Sequence, residues 1–212
     1  AARGGGPFDG GETIIRNQGY INGLWYDPNA LNTGSDEEKA RLLHYADLVR
    51  LGLAGNLADY VLVNSAGITV TGSQVDYNGS PAGYTQDPQE QIVYVAKHDN
   101  QTLYDINAYK LPLGTSMADR VRVQNLGLDL TLLAQGVPFI HAGEDLLRSK
   151  SMDRDSYNSG DWFNRLDWTY QSNNFGVGLP VQGVNGDNWP LIGPRLADPN
   201  LMPGSANIQA SK

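Results

Sequence analysis

The chain reads IVYVAKHDNQTL between residues 92 and 103, and this stretch decides how the rest of the sequence is interpreted. A short apolar run such as Ile92 to Ala96 is typical of a buried β-strand. The run stops at His98 and Asp99, which place an imidazole beside a carboxylate. Polar groups at the C-terminal ends of buried parallel strands build the active sites of barrel-type α/β folds. We therefore expect a functional site here; the alternative is a pair that only caps the following turn.

A helix and a second strand are expected to follow this first strand. The apolar pattern predicts a helix from Ser116 to Gln135, which Gly136 can end in the left-handed conformation. Residues Val137 to Ile140 then predict the next strand. A strand, a helix and a strand with short connections form a parallel pair with a right-handed crossover. We expect the two strand ends to lie side by side.

Two further elements are indicated nearer the N-terminus. Ser35 followed by Glu38 fits a capping box at the start of a helix that runs to about Leu53. Residues 60–63 and 68–71 flank a turn and predict a β-hairpin. After His141 about 70 residues show little periodicity, which is typical of a functional loop or of the end of an interrupted domain.

Composition excludes several classes of protein. The chain has 212 residues and a formal charge of −8, which argues against a nucleic-acid partner, because such a partner requires a basic face. It has no cysteine, so disulfides and cysteine-based zinc sites are excluded. No run approaches the roughly 18 apolar residues of a membrane-spanning helix, so no membrane partner is expected. The compartment stays open.

Four stretches of the sequence together resemble one known family. They are residues 92–103 (IVYVAKHDNQTL), 137–145 (VPFIHAGED), 147–164 (LRSKSMDRDSYNSGDWFN) and 186–190 (GDNWP). The third mixes guanidinium, carboxylate, amide and aromatic groups, which bind neutral sugars through hydroxyl pairs and apolar ring faces. The set resembles the α-amylase family of glycoside hydrolases. The sequences of these stretches are most similar to those of the pullulanase and limit dextrinase branch, which hydrolyses α-1,6 branch points in α-glucans.

The resemblance implies roles for residues at the two strand ends. Asp99 matches a catalytic carboxylate that stabilises the oxocarbenium-like transition state, and His98 matches a residue that hydrogen-bonds sugar hydroxyls beside the cleaved bond. Glu144 matches an acid that organises the floor of the site. His141 is expected to be a hydrogen-bonded structural histidine.

The resemblance also implies a set of substrate-binding residues. Arg154 matches a residue that holds the non-reducing end of the bound chain, and Asp187 joins it in the outer glycone subsite. Tyr77 matches an aromatic residue that contacts substrate, and Asn100 follows the His98–Asp99 pair in the same motif. Residues 3–8, RGGGPF, also match the family.

The sequence lacks the motifs that carry the two catalytic carboxyl groups of this reaction. Retaining hydrolysis uses a nucleophilic carboxylate and an acid/base carboxyl about 5 Å apart, and the family motifs that carry them, GFRFD and GEGWD, do not occur here. The resemblance implies an α/β fold: a partial (β/α)₈ TIM barrel that includes strands 7 and 8 over residues 1–141, then a long loop-rich segment over residues 142–212 that forms glycone subsites. The N-terminal half of the barrel and a C-terminal β domain are expected outside the chain.

The function implied is part of a debranching α-1,6-glucosidase, inactive on its own. The alternative is a non-catalytic α-glucan-binding fragment or module; an α-1,4-cutting amylase fits less well. The expected partners are an α-glucan and the missing N-terminal portion of the same enzyme. No cofactor is expected, and calcium cannot be read from the sequence. The compartment would be a plastid for a plant or algal source, and the cytoplasm or the exterior for a bacterial one.

Overall fold

Short helices joined by long irregular segments make up most of the structure, a computed structural model that describes residues 1–6 and 8–212. Pro7, within the family-matched stretch at residues 3–8, lies outside the described residues. The helices are α1 (Glu12–Arg16), α2 (Asp36–Leu53), α3 (Leu103–Lys110), α4 (Met117–Leu132), α5 (Asp161–Asn164), α6 (Gln182–Asn185), α7 (Trp189–Leu196) and α8 (Ser205–Ser211). The strands are β1 (Val61–Val63), β2 (Thr69–Thr71), β3 (Asp76–Tyr77), β4 (Ser80–Pro81), β5 (Ile92–Val93) and β6 (Val137–Pro138).

The predicted N-terminal helix is confirmed as α2. The Ser35 hydroxyl accepts a hydrogen bond from the Glu38 backbone N–H at 3.3 Å, which satisfies one of the free donors at the helix start. The Glu38 carboxylate does not complete a capping box, because it pairs with Arg41. Only Asp47 and Leu51 of this helix are fully buried, so much of its apolar face is only partly covered.

The predicted hairpin is also confirmed. Strands β1 and β2 pair antiparallel, with Leu62 opposite Val70. Leu62 points inward and joins Leu51, Val75 and Ala82 in a small core of their own. Alternation of this kind fixes the register, since a slip by one residue would expose Leu62.

The predicted parallel pair is present but short. Strands β5 and β6 pair in parallel, with Ile92 opposite Val137 and Val93 opposite Pro138. The expected strands, 92–96 and 137–140, each keep only their first two residues as regular strand. Ile92 is 61% exposed rather than buried. No further strand of the described residues pairs with either edge of the pair.

The prediction of a partial (β/α)₈ TIM barrel is wrong. The described residues form three separate two-stranded sheets, and only the β5–β6 pair is parallel. A barrel requires eight parallel strands, each hydrogen-bonded to two neighbours, whereas every strand in the described part of the chain has a single neighbour. The order strand, helix, strand is a local pattern, and it does not determine how many strands a sheet acquires.

Helix α4 begins where it was predicted to begin, but it ends before Gln135, its predicted last residue. Ser116 caps the helix by accepting from the Asp119 N–H at 3.1 Å, and the helix ends at Leu132. Gly136 is not in the left-handed conformation that was predicted for it. A Cβ atom at Gly136 would instead lie 2.7 Å from a Val93 methyl carbon and 2.9 Å from the Gln91 carbonyl oxygen. Glycine is therefore needed there for the close approach to β5.

Helix α3 was not predicted from the sequence. Thr102 caps it by accepting from the Asp105 N–H at 3.1 Å, and all eight of its residues are buried. A helix that is covered on every side has no polar face, so its sequence lacks the periodicity that reveals surface helices. Its polar residues, Asp105, Asn107 and Lys110, lie inside the protein.

The main core lies around α3. Its buried members are Ile14, Ile15, Ile21, Val95, Ala96, Leu103, Ile106, Ala108, Tyr109, Met152, Ile192, Leu196 and Leu201. A second cluster joins the C-terminal helix α8 to α3 and α4 through Ile208, Tyr104 and Val121. Residues 142–212 therefore carry four short helices and are packed onto the earlier part of the chain. The described residues contain no helix that is both long and apolar enough to span a membrane.

Candidate functional site

The loops that follow β5 and β6 leave the sheet side by side. The Val137 N–H donates to the Gln91 carbonyl and the Phe139 N–H donates to the Val93 carbonyl, both at 2.8 Å. Just beyond the strands, the rings of Tyr94 and Phe139 meet edge to face, with centroids 6.4 Å apart. These contacts hold the two loops together, which is the arrangement that a shared site requires.

His98 and Asp99 form an exposed pair on the first loop. The His98 Nε2 atom lies 3.4 Å from Asp99 Oδ1, and the side chains are 79% and 56% exposed. The Lys97 ammonium donates a hydrogen bond to Asp99 Oδ2, and this bond, with the charges of nearby cations, lowers the pKa of Asp99. Asp99 is therefore a carboxylate at neutral pH, as a residue that stabilises positive charge must be.

Arg3 anchors the two ends of this loop from the N-terminal segment. Its guanidinium donates to the Val95 carbonyl at 3.4 Å and to the Gln101 carbonyl at 3.2 Å. Asn100, between them, has a left-handed backbone with φ of 62°, a conformation that asparagine tolerates better than most residues. The loop is thus fixed through its backbone while the side chains of His98 and Asp99 remain in solvent.

Tyr77 and Asn100 line one cavity, with a volume of about 340 Å³. Tyr94, Arg3 and the glycines at positions 4–6 complete much of its wall. The Tyr77 ring is half exposed, so one face is available to a ligand. The structure therefore brings these two predicted residues together at the base of the His98–Asp99 loop.

Lys110 supports the glycine segment of that cavity from beneath. It is buried, and its ammonium donates to the Gly4 carbonyl at 3.3 Å and to the Asn17 carbonyl. Burial lowers the pKa of Lys110 to about 7, although the Asp9 carboxylate opposes this effect. Gly4 and Gly5 both have positive φ, which allows the backbone to pass this close to the lysine.

The second loop carries a group of ionisable side chains that are buried or partly buried. The Arg148 guanidinium contacts His141 Nε2 at 2.9 Å and donates to the Ala142 carbonyl at 2.8 Å. Burial and the Arg148 charge lower the pKa of His141 to about 4, so the ring is neutral and Nε2 accepts the bond. This agrees with the structural role expected of His141.

Glu144 is fully buried, and neither of its carboxyl oxygens has a hydrogen-bond partner among the described residues. Burial raises the pKa of Glu144 to about 8, while the Arg3 charge acts in the opposite direction. The side chain is therefore mainly a neutral acid at pH 7. The Arg3 charge favours the ionised form of Glu144, but no hydrogen-bond donor among the described residues contacts its carboxyl oxygens.

Arg154 lies on a tightly bonded part of the same loop. Its backbone N–H donates to Asn185 Oδ1 at 3.0 Å, and Asn185 Nδ2 donates to Asp153 Oδ1 at 2.9 Å. Both Asn185 and Asp153 are buried. The guanidinium carbon of Arg154 lies 5.6 Å from the centre of the Phe8 ring, which is an exposed aromatic face.

Asp187 follows Asn185 by two residues and points into solvent. The Asn185 side chain therefore joins the Arg154 and Asp187 segments, although no ion pair links Arg154 and Asp187 within the described part of the chain. Trp189 donates from its ring nitrogen to the Pro180 carbonyl at 2.9 Å and packs against the main core. Trp189 therefore packs against the core rather than facing solvent.

The predicted residues thus form three groups: the His98–Asp99 pair, the Tyr77–Asn100 cavity and the Arg154–Asp187 segment. The glycine-rich N-terminal segment reaches two of them, because Gly4 to Gly6 line the cavity and Phe8 faces Arg154. The roles assigned to these residues stay predictions. Sequence reasoning missed Arg3 and Lys110, whose positions depend on burial that no local pattern reveals.

Metal ligands do not cluster in this arrangement. No group of three or more His, Cys, Asp or Glu side chains in residues 1–6 and 8–212 is placed to hold a metal ion. Whether calcium binds therefore stays an open expectation.

Comparison with known proteins gives consistent relatives along the chain. The family model "Alpha-1,6-glucosidases, pullulanase-type, C-terminal" matches residues 170–212. The pullulanase of Klebsiella aerogenes is 49% identical over 209 residues, which cover 99% of this chain and 19% of that protein. The chloroplastic pullulanase 1 of Arabidopsis thaliana is 49% identical over 213 residues, covering 100% of this chain and 22% of that protein.

A solved structure shares the fold as well as the sequence. The crystal structure of apo pullulanase from Klebsiella pneumoniae superposes with a TM-score of 0.93 at 47% identity, over 100% of this chain and 22% of that chain. The arrangement of short helices and small sheets described above therefore recurs in a known protein. The chain spans about a fifth of the length of the relatives it matches.

The buried Glu144 carboxyl predicts a specific pH dependence of stability. Its pKa is raised in the folded chain to about 8 from an ordinary 4.5, so the folded state binds more protons than the unfolded state between these values. Stability should fall as the pH rises from about 4.5 to 8. Glu144→Gln removes this proton, and each pKa unit corresponds to about 1.4 kcal/mol.

Urea unfolding at pH 5 and pH 7.5 measures the effect. The quantity of interest is the free energy of unfolding of Glu144→Gln minus that of the unchanged chain. We expect this difference to be roughly 2 to 3 kcal/mol larger at pH 7.5 than at pH 5. Glu90→Gln, at an exposed position, is the control for loss of one carboxyl group. Parallel changes in the unchanged chain and Glu144→Gln would mean that Glu144 is ionised in the folded protein.

Proposed function

Because the chain belongs to the pullulanase family and spans about a fifth of a pullulanase, we propose that it is part of a starch-debranching glycoside hydrolase. The family predicted from the sequence motifs is confirmed. The proposed reaction is hydrolysis of α-1,6-glucosidic linkages in pullulan, amylopectin or limit dextrins by a retaining mechanism. The single observation that carries the proposal is 49% identity to pullulanases over essentially the entire chain.

The catalytic contribution proposed for this chain comes from Asp99 and His98. Glycoside cleavage develops positive charge on the sugar ring, and an ionised carboxylate held nearby stabilises that charge. The exposure of Asp99 and its lowered pKa support this role. His98 lies beside it with its ring free to hydrogen-bond sugar hydroxyls. The nucleophilic Asp and the acid/base Glu are proposed to come from outside this chain.

Glu144 does not replace the absent acid/base. Its carboxyl group is buried beneath the second loop and is 1% exposed, so it cannot reach a glycosidic oxygen. The chain alone therefore offers a transition-state stabiliser without a nucleophile. We expect it to be inactive in isolation.

The substrate-binding residues proposed are Arg154, Asp187, Tyr77 and Asn100. Arg154 and Asp187 offer charged hydrogen-bond partners for paired hydroxyls, and Asn185 keeps their segments together. Tyr77 offers an aromatic face to the apolar side of a sugar ring. No cofactor is proposed.

The proposed partner is the remaining portion of the same enzyme. The parallel pair β5–β6 leaves Ile92, Tyr94, Val137 and Phe139 about half exposed or more. Neighbouring apolar side chains on a short sheet are typical of a surface that another element covers. This surface lies beside the loops that carry His98 and Arg148, so the covering portion would also border the site.

A second candidate is a non-catalytic α-glucan-binding module. It is favoured by the self-contained bonding of the Arg154 segment, since Asp153, Asn185 and Ser159 hold that loop without help from another polypeptide. On this alternative the chain binds a maltooligosaccharide by itself and takes no part in hydrolysis.

A chimaera separates the two candidates. We define the chimaera as the Klebsiella aerogenes pullulanase in which the matching 209 residues are replaced by this chain. The debranching proposal predicts that the chimaera releases reducing ends from pullulan, whereas the isolated chain does not. An inactive chimaera together with maltotetraose binding by the isolated chain would favour the module.

Asp99→Asn in the chimaera tests the transition-state role. The amide keeps the shape of the side chain but removes its charge, so we expect kcat on pullulan to fall roughly 100-fold or more. The Michaelis constant should change much less. Asp129→Asn, an exposed aspartate on α4, is the matched control and should leave kcat unchanged. Full activity of Asp99→Asn would remove Asp99 from the mechanism.

Arg154→Ala in the chimaera tests the glycone subsite. A hydrogen bond to a charged group contributes about 1.5 to 3 kcal/mol, so we expect the Michaelis constant for pullulan to rise roughly tenfold or more, with a smaller change in kcat. Arg122→Ala, an exposed arginine on α4, controls for loss of a surface charge. An unchanged Michaelis constant for Arg154→Ala would contradict the subsite assignment.

A further inference from the structure

Lys150 is a buried lysine that lies beneath the His98–Asp99 loop. Its side chain is 1% exposed, and its ammonium donates a hydrogen bond to the His98 carbonyl oxygen at 3.1 Å. Lysine is almost never fully buried without a partner, because removing an ammonium group from water is costly. The backbone of the His98–Asp99 loop is the direct partner that the structure gives this ammonium.

The position of Lys150 is fixed by helix α3. The Lys150 backbone N–H donates to Asp105 Oδ2 at 2.7 Å, and the Ser149 hydroxyl donates to Asp105 Oδ1 at 2.5 Å. Asp105 is completely buried in the first turn of α3, which Thr102 caps. The same turn follows the His98–Asp99 loop along the chain, so Lys150 and the loop share one anchor.

The backbone next to Lys150 is strained. Ser151 and Met152 both adopt left-handed conformations, with φ of 52° and 65°, which are strained for non-glycine residues. The Ser151 N–H donates to the Ser149 hydroxyl at 2.9 Å, and the Ser151 hydroxyl donates to the Gly178 carbonyl at 2.6 Å. Such strain persists only where the surroundings over-determine it, and it is concentrated at functional sites.

The loop from residue 95 to residue 101 is held through three carbonyl groups. Arg3 binds the carbonyls of Val95 and Gln101 at its two ends, and Lys150 binds the carbonyl of His98 in the middle. Every one of these bonds uses a backbone oxygen. The side chains of His98 and Asp99 therefore stay exposed, and among the described residues Asp99 contacts only its neighbours Lys97 and His98. The peptide that joins His98 and Asp99 cannot rotate freely.

We propose that Lys150 is a positioning residue for Asp99: by holding the His98 carbonyl, it fixes the direction in which the Asp99 carboxylate meets the sugar. The inference rests on the proposed function, since it requires Asp99 to act on a bound glucan. Lys150 itself does not touch the substrate. A misplacement of about 1 Å at a reacting group can cost roughly 100-fold in rate, so a buried contact of this kind can affect turnover strongly.

A double-mutant cycle in the chimaera tests the proposal. Lys150→Met keeps the length of the side chain but removes its ammonium group, and it is combined with Asp99→Asn. We expect Lys150→Met alone to lower kcat on pullulan at least tenfold, with less than a threefold change in the Michaelis constant. In the Asp99→Asn background the same change should alter kcat less than twofold, because the residue it positions is already disabled.

Controls separate positioning from a loss of folding. Lys39→Met, at an exposed position on α2, should leave kcat unchanged. Circular dichroism and the melting temperature establish that each variant is folded. If Lys150→Met does not fold, the same cycle is measured with Lys150→Arg, which keeps the charge but moves the donor away from the His98 carbonyl.

The outcomes distinguish this inference from the proposed function. The positioning role would be overturned if Lys150→Met lowered kcat by the same factor with Asp99 and with Asn at position 99. It would also be overturned if Lys150→Met left kcat unchanged. Neither result would remove the role of Asp99. Full activity of Asp99→Asn would instead remove the role of Asp99, and the inference with it. A chimaera without debranching activity would overturn both.

Discussion

The Asp105 carboxylate holds the loop after β6 against helix α3, and the candidate site depends on this contact. It accepts hydrogen bonds from the Ser149 hydroxyl and the Lys150 N–H, at a point where water cannot compete. Burial raises the pKa of Asp105, while these two bonds and the nearby Lys150 charge act in the opposite direction. This contact fixes the start of the loop that carries Lys150 and Arg154 against the first turn of α3.

The parts of the fold that could be predicted are those whose signals are local. Ser35 and Ser116 cap helices because a hydroxyl and a free N–H lie within one turn, and the β1–β2 hairpin is marked by its turn residues. Helix α3 has the same kind of cap at Thr102, but all eight of its residues are buried, so it lacks the polar face that reveals a surface helix in the sequence. The barrel prediction failed for a related reason: a strand's neighbours are set by the whole chain, and among the described residues β5 and β6 pair only with each other.

The same limit applies to the candidate site, since some of its residues could be predicted from the sequence and others could not. The residues with exposed side chains, such as Asp99, Asp187 and Tyr77, could be predicted because they lie in or near stretches that resemble the family. The residues that hold those loops are buried and charged, and sequence alone predicts that Lys150 or Lys110 should be in solvent. Only the structure shows that their ammonium groups are taken up by backbone carbonyls.

The buried charged side chains order the site loops, and the exposed apolar side chains provide a surface for assembly. The site loops are ordered by contacts within this chain, through Arg3, Lys150 and Asn185. The apolar side chains of Ile92 and Phe139 are left partly exposed beside them. On the proposed function, association with the rest of the enzyme would bury this apolar surface without having to order the site loops. Affinity is lost when loops must be ordered on binding, so a preformed site removes that part of the cost of assembly.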